Sequence, residues 1–447
     1  AAVACTRSPQ PACADAALVH SSAASTLPAA AEDSLFSGVL YEALAEGTGH
    51  TVLLKASWLR KRAETWSRET SSETAFLRRQ DLPVEAIMTL QELRRIRDAT
   101  TSQQFIMESD INKWRLPIVA VSYCWLSPSD PDPQGDHLRS IGAELDRALS
   151  AKSKVDVKGA ARPDWGKAEM SVFEDVGVFI DYFSMDQKQR TEEEGKRFSQ
   201  ALYAVNTWYN HPCITVLLLM GLPGWYTAVG SNRAYVERGW PVFEKAISVM
   251  NKRSSPLWWD AVVRLPPSPE RLVDAPLTPE AFSRMISDTS KIAFTNGSDV
   301  CVVEKLYRTS LVASLSKTDK LAYTDLGWSD ADVATLVESL VPPLCCSVIK
   351  MHLDGNAMTD KGIERLCTAA RGPGVLPSLT HLFLDKNQIS DAGVDDIVAC
   401  LSEMAEGQPK NMPKLQSLYI SENMVGPDGR AKLEALVSSG RLKKCKL

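Results

Sequence analysis

Three segments near the C-terminus repeat one spacing of apolar residues, and that period leaves few folds open. Leu379-x-x-Leu382-x-Leu384-x-x-Asn387 recurs as Leu415-x-x-Leu418-x-Ile420-x-x-Asn423 and as Val348-x-x-Met351-x-Leu353-x-x-Asn356. The alternating apolar residues predict a short strand buried on one face. The asparagine turns the backbone, and a helical stretch such as DAGVDDIVACLSEM follows. A strand–turn–helix unit cannot bury its apolar face alone, so the copies must stack. The asparagines lie 31 and 36 residues apart, so insertions such as Glu406–Met412 lengthen individual units. LAYTDLGWSDADVATLVESL, from Leu321, reads as a worn copy that caps the front.

This is the leucine-rich repeat signature, and the length of the units resembles the ribonuclease-inhibitor type. The variable strand positions then face the concave side: Lys350, His352, Asp354, His381, Phe383, Asp385, Gln416 and Tyr419. Extended surfaces of this kind bind proteins, although a short array also serves to pack against its neighbour. His352 and His381 read as equivalent positions of adjacent strands, placed to stack.

Upstream, continuous apolar runs alternate with helical stretches. LPIVAVSY (Leu116–Tyr123), VGVFID (Val176–Asp181) and CITVLLLM (Cys213–Met220) are buried strands by length and β-branched content. HLRSIGAELDRALSA and FSQALYAVNTWY lie between them as helices, which predicts a parallel sheet covered on both faces. Before it, Leu35–Leu44, Thr51–Trp66 and the segment opened by the capping-box pair Thr89 and Glu92 read as helices. Basic clusters at Arg60–Arg62 and Arg94–Arg97 read as solvated helix faces. The proline-dense stretch 254–280 reads as an irregular excursion, and Thr278-Pro279-Glu280 starts another helix.

Composition narrows the function classes. A net charge of −5 gives no broad basic surface, which argues against a nucleic-acid partner. No apolar run approaches the ~20 residues of a membrane span. Ten cysteines without a C-x-x-C suit reduced, buried thiols and neither a zinc site nor a disulfide framework. No G-x-G-x-x-G or P-loop is present. The chain opens at Ala1, which reads as a fragment or a processed product, and its Ala/Ser-rich residues 1–32 read as a disordered or targeting leader.

In an open parallel sheet, ligands sit beyond the carboxyl ends of the strands. That rule gathers Ser122, Tyr123 and Trp125, the segment from Asp181 to Gln187, and the loop before Trp240. In YVERGWPVFEKAISVM (Tyr235–Met250), Gly239 closes what precedes and Pro241 suits a first helical position. Glu244 lies four residues after Trp240, so ring and carboxylate share a helix face. Glu244 is then either a working acid or a helix-start carboxylate, and Trp240 either a pocket wall or core. Asp181 either binds a ligand or satisfies loop N–H groups. Cys124 with His137 or His211 gives a cysteine-hydrolase alternative. Asp181 and Glu244 have no histidine at ligand spacing, so no metal is assigned.

SYCW (Ser122–Trp125), FIDYFSMDQ (Phe179–Gln187) and RGWPVFE (Arg238–Glu244) stand in the order of the heterokaryon-incompatibility (HET) motifs SYCWG, WID-x-x-CINQ and R-x-W-x-x-QE. Residues 85–310 resemble that family, which is similar to Toll/interleukin-1 receptor (TIR) domains with a flavodoxin-like parallel sheet. Leu126 stands at the glycine position, Phe179 at the first tryptophan, and Phe243 at the glutamine before the glutamate. In TIR domains that cleave NAD, a W-x-x-x-E pattern carries the catalytic glutamate. The resemblance therefore implies Glu244 as the catalytic acid, stabilising the positive charge that develops on the ribose. Trp240, Ser122, Tyr123, Trp125 and Asp181 would line its ligand site.

The expected fold is α/β, with a TIR/flavodoxin-like domain followed by a leucine-rich repeat solenoid. Its parts are the leader 1–32, a helical region 33–110, the HET/TIR-like domain 111–315 and the repeats 316–447. The expected protein is of signalling or immunity type and cytoplasmic. Its repeats hold a protein partner, and its α/β domain acts by self-association with NAD as substrate and no required cofactor. The alternative is a non-catalytic interaction scaffold.

Overall fold

Strands form where the apolar runs are too short and too β-branched for a helix. The computed structural model describes residues 38–45, 49–103, 116–150, 153–154, 169–170, 173–227, 232–250, 261–316, 318–405 and 408–447. The leader expected at 1–32 lies outside them. Residues 35–447 form one compact unit.

The first sheet comprises β1 (Leu53–Lys55), β2 (Ile87–Met88), β3 (Ile118–Ser122), β4 (Gly177–Phe179), β5 (Thr215–Leu219) and β6 (Val262–Leu265), in the spatial order β2-β1-β4-β3-β5-β6. The last four run parallel, while β1 is antiparallel to both of its neighbours. Every residue of β3 and β5 is buried, as in strands covered on both faces. Three parallel strands were legible in the sequence; three further strands were not. β6 sits inside the stretch read as an irregular excursion. β1 precedes helix Ala56–Thr65 within a segment read as wholly helical.

The helix that carries Glu244 spans Gly239–Ser248, two residues earlier than the proline suggests. Pro241 falls within the first turn, where backbone N–H groups lack intrahelical acceptors in any case. The start is fixed by packing: a Cβ on Gly239 would lie 2.0 Å from the Phe294 ring. This helix packs against Val205–Asn210 and Asp299–Ser316. The capping box of Thr89 and Glu92 forms as expected.

The second sheet comprises β7 (Lys320–Ala322), β8 (Lys350–His352), β9 (His381–Phe383), β10 (Ser417–Tyr419) and β11 (Lys444–Lys446), all parallel and ordered as in the chain. Helices Asp330–Ser339, Asp360–Ala370, Asp391–Ser402 and Pro427–Ser438 separate the strands. The front copy is therefore a full unit, and β11 adds a strand that the sequence reading lacked. The longer spacing between Asn387 and Asn423 holds a small antiparallel hairpin, Met404–Ala405 with Gln408–Pro409.

Two side-chain ladders tie the units together. Asn387 is buried; its Nδ2 donates to Leu353 O (2.9 Å) and Leu384 O (3.1 Å), and its Oδ1 accepts from Met358 N (3.1 Å). Asn356 and Asn423 do the same in their own units. The second ladder is aspartate. Asp330 accepts from Thr359 N and Oγ1 of the next unit, and Asp360 from Ser390 N and Oγ. A Cβ at Gly393 would lie 2.5 Å from Asp360 Oδ1, so glycine there lets the carboxylate approach. The repeats join the preceding part of the chain through its loops: Trp328 Nε1 donates to Val273 O (3.0 Å), the Tyr323 hydroxyl to Met250 O (3.0 Å), and Arg271 pairs with Asp332 (2.8 Å).

Candidate functional site

The parallel strands lie in the chain order second, first, third, fourth, so the connections reverse direction beside β3. Ser122 ends β3 at that reversal, where open α/β sheets place their sites. The Ser122 hydroxyl donates to Glu244 Oε2 (2.5 Å) and shares a 2.5 Å hydrogen bond with the Tyr235 hydroxyl. Tyr209 also hydrogen-bonds Glu244. Its hydroxyl also lies within hydrogen-bond distance of Val121 O (3.2 Å). Glu244 is 8% exposed. Burial pushes its pKa well above the ordinary carboxylate range, with the nearby Asp181 charge adding to the rise and the Ser122 and Tyr209 hydrogen bonds opposing it.

Asp181 forms a second centre. It accepts from the Tyr123 hydroxyl (2.6 Å), from the Tyr182 backbone N–H (2.6 Å) and from Trp125. Burial raises its pKa too, against those hydrogen bonds. Asp181 thus satisfies neighbouring donors, one of the two roles open to it. Five of the six candidate residues fall in two adjoining clusters, buried at Ser122, Tyr123 and Glu244 and half-buried at Trp125 and Asp181.

Trp240 stands apart. Its indole N–H donates to Asp299 Oδ2 (2.9 Å) at the start of helix Asp299–Ser316, and its ring meets Phe243 edge-on. Tyr209 and Tyr235 are members the sequence did not single out. They sit on helical segments remote in sequence from Ser122, with no local spacing to mark them. Asp186 is another: it is held by Arg79 (3.3 Å) and by Arg197 (3.0 Å), and anchors the loop after Asp181.

The hydrolase alternative is not supported. Burial lifts the Cys124 thiol to about 12, and His137 Nε2 contacts the Cys124 carbonyl oxygen (2.8 Å). A nucleophilic cysteine needs a lowered pKa.

The repeat strands build a different surface. Met351, Leu382 and Leu418 are buried, and the alternate residues point to the other face. Register pairs Lys350 with His381 and His352 with Phe383. The expected equivalence of His352 and His381 is therefore wrong by two residues, one full step along the same strand face. Instead, His352 stacks on Phe383 (4.0 Å between centroids, 8°) and Phe383 on Tyr419 (4.4 Å, 13°). The Lys444 ammonium lies 5.1 Å from the Tyr419 ring centroid. Asp354 pairs with His352 (3.3 Å), and Asp385 accepts from Ser421 N (2.9 Å) and from its hydroxyl. Gln416 precedes β10, and its carbonyl accepts from Lys443 and Lys444 N–H groups.

Among known families, Leucine Rich repeat matches residues 375–398. No curated protein matches the sequence. A solved structure of Leiomodin-1 Actin-Binding Site 2 is similar at 15% identity, covering 31% of this chain and 75% of that chain, with a TM-score of 0.26. Among the described residues, no helix is long and apolar enough to cross a membrane. The chain is a mixed α/β protein with parallel sheets, and its C-terminal part carries leucine-rich repeat sequence of the kind used for protein interaction.

Proposed function

We propose that this chain is a protein-interaction scaffold whose outer repeat-sheet face takes up a polypeptide partner. The stack His352–Phe383–Tyr419 carries this reading. The three rings are partly exposed, yet fixed against one another. Pre-organised aromatic side chains lose little entropy on binding and are the residue types that dominate binding energy at interfaces. Peptides selected from a random display library on the full chain should bind about 30-fold more weakly to a Phe383→Ala/Tyr419→Ala double variant, as for hot-spot residues. Selected peptides that all ignore the double variant would overturn the reading.

A second reading is favoured by the meeting of Ser122, Tyr123, Asp181 and Glu244 beside the reversal of strand connections. It makes residues 111–315 a HET/TIR-like effector domain in a signalling or immunity-type cytoplasmic protein, with NAD cleavage at Glu244 triggered by self-association. Stabilising a ribosyl cation calls for an ionised, accessible carboxylate. Glu244 is buried, and that burial raises its pKa well above the ordinary carboxylate range, which disfavours the ionised form. The scaffold reading therefore leads, with the HET-type residues holding the strand ends. At high protein concentration with NAD, it predicts no release of nicotinamide. Release abolished by Glu244→Gln would establish the effector reading instead.

A further inference from the structure

We infer that the partner segment is an extended acidic peptide with an apolar centre, lying across the repeat strands over the ring stack. This rests on the scaffold reading and adds the chemistry of the partner. Lys350, on β8, and Lys444, on β11, lie in the row of His381 and Ser417, one step along the face from the rings, and Lys446 ends the ring row beside Tyr419. All three are exposed and, among the described residues, none forms an ion pair. The carboxylates of the same face are already engaged: Asp354 by His352 and Thr324, Asp385 by Ser421. The face is thus positively biased on a chain whose net charge is −5. His381 reports that field: its pKa is held down first by burial and then by Lys350, His352 and Lys444.

Spacing defines the segment. β8 and β11 are three strand intervals apart, about 14 Å at ~4.8 Å each, which a strand-like peptide crosses in about four residues. Acidic residues at both ends match Lys350 on one side and Lys444 and Lys446 on the other, and apolar residues between them meet the adjoining rings. A nucleic acid fits less well. The ring faces cover one another, and the outer face of Tyr419 is covered by Lys444, so bases find edges and not the planes on which they stack.

The test is fluorescence anisotropy with the labelled hexapeptide EELLEE, the basic control KKLLKK and hexauridylate. EELLEE should bind, weaken on raising NaCl to about 0.5 M, and lose about tenfold in affinity in Lys350→Glu/Lys444→Glu. The Lys350→Arg/Lys444→Arg variant should retain binding. Exposed sites keep these variants folded, which circular dichroism checks. Equal binding of EELLEE to wild type and the Glu variant, or preference for KKLLKK, overturns the proposal. Hexauridylate bound more tightly than EELLEE and lost in the same variant overturns the peptide class. Display-selected peptides that depend on Phe383 while EELLEE fails to bind would sink the acidic partner and leave the scaffold reading standing.

Discussion

Asn387→Ala is expected to lower the unfolding free energy by about 4 kcal/mol. The side chain is buried and bonds two units at once, reaching Leu353 O in one and Leu384 O in its own, with Met358 N on its oxygen. Alanine leaves the Met358 N–H without its acceptor, at about 1–3 kcal/mol for a buried group left unsatisfied, and removes two hydrogen bonds, at about 1 kcal/mol each, from carbonyls that keep Asn356 and Asn423 as donors. The loss propagates because stacked units are held by their nearest neighbours. Urea unfolding checks it, with the exposed neighbour substitution Gln388→Ala as a control expected to stay within about 0.5 kcal/mol. An Asn387 variant as stable as the control would remove the asparagine ladder from the account.

The second large effect concerns protonation of Glu244. Its folded pKa is raised well above the ordinary glutamate value of 4.5, by burial first. Below 4.5 both the folded and the unfolded chain hold the proton, and the stabilising contribution is complete. As pH rises above that value, the unfolded chain ionises while the folded chain keeps its proton. Stability then falls until pH reaches the folded pKa. Asp181 is shifted in the same direction and adds to the slope. Glu244→Gln removes one of the two contributions and keeps a neutral hydrogen-bonding group. Its melting temperature should match wild type near about pH 4 and exceed it near about pH 8, with the difference growing between them. Glu244→Ala, which strands the Ser122 and Tyr209 contacts, should cost about 3 kcal/mol at either pH. A Gln variant less stable than wild type at the higher pH would show that Glu244 is ionised in the folded chain.

Both predictions use residues that the sequence marks plainly, yet its legibility was uneven. The repeats were readable because leucine and asparagine recur at fixed offsets, and every ladder asparagine was identified. Phase within the strands was harder: a strand side chain repeats every second residue, so His352 and His381 lie on one face, yet register makes Phe383 the neighbour of His352. The aspartate ladder was hidden because an acid at a helix start already has a local explanation in the helix dipole. β1 and β6 were missed for a related reason. Runs of three or four residues are too short for periodicity to separate from a helix, and prolines next to β6 disguise it.

The site around Glu244 was legible in part. Ser122, Tyr123, Trp125, Asp181 and Glu244 were named from strand ends and a helix start, and they do gather. Trp240 was not separable from them by spacing alone, because its partner Asp299 lies on a helix that the pattern does not connect to it. The tyrosines that complete the cluster come from other segments for the same reason. What the fold changes is their chemical standing: residues that read as a ligand site in sequence are one another's hydrogen-bond partners in the folded chain.

The central claim is that the working surface of this protein is the ring-bearing face of the repeat sheet. Calorimetric titration of one display-selected peptide into wild type, Glu244→Gln and Phe383→Ala/Tyr419→Ala tests it most directly. The account predicts equal affinity for the first two and about 30-fold weaker binding to the third. Undiminished affinity in the third, or loss in Glu244→Gln alone, would contradict it.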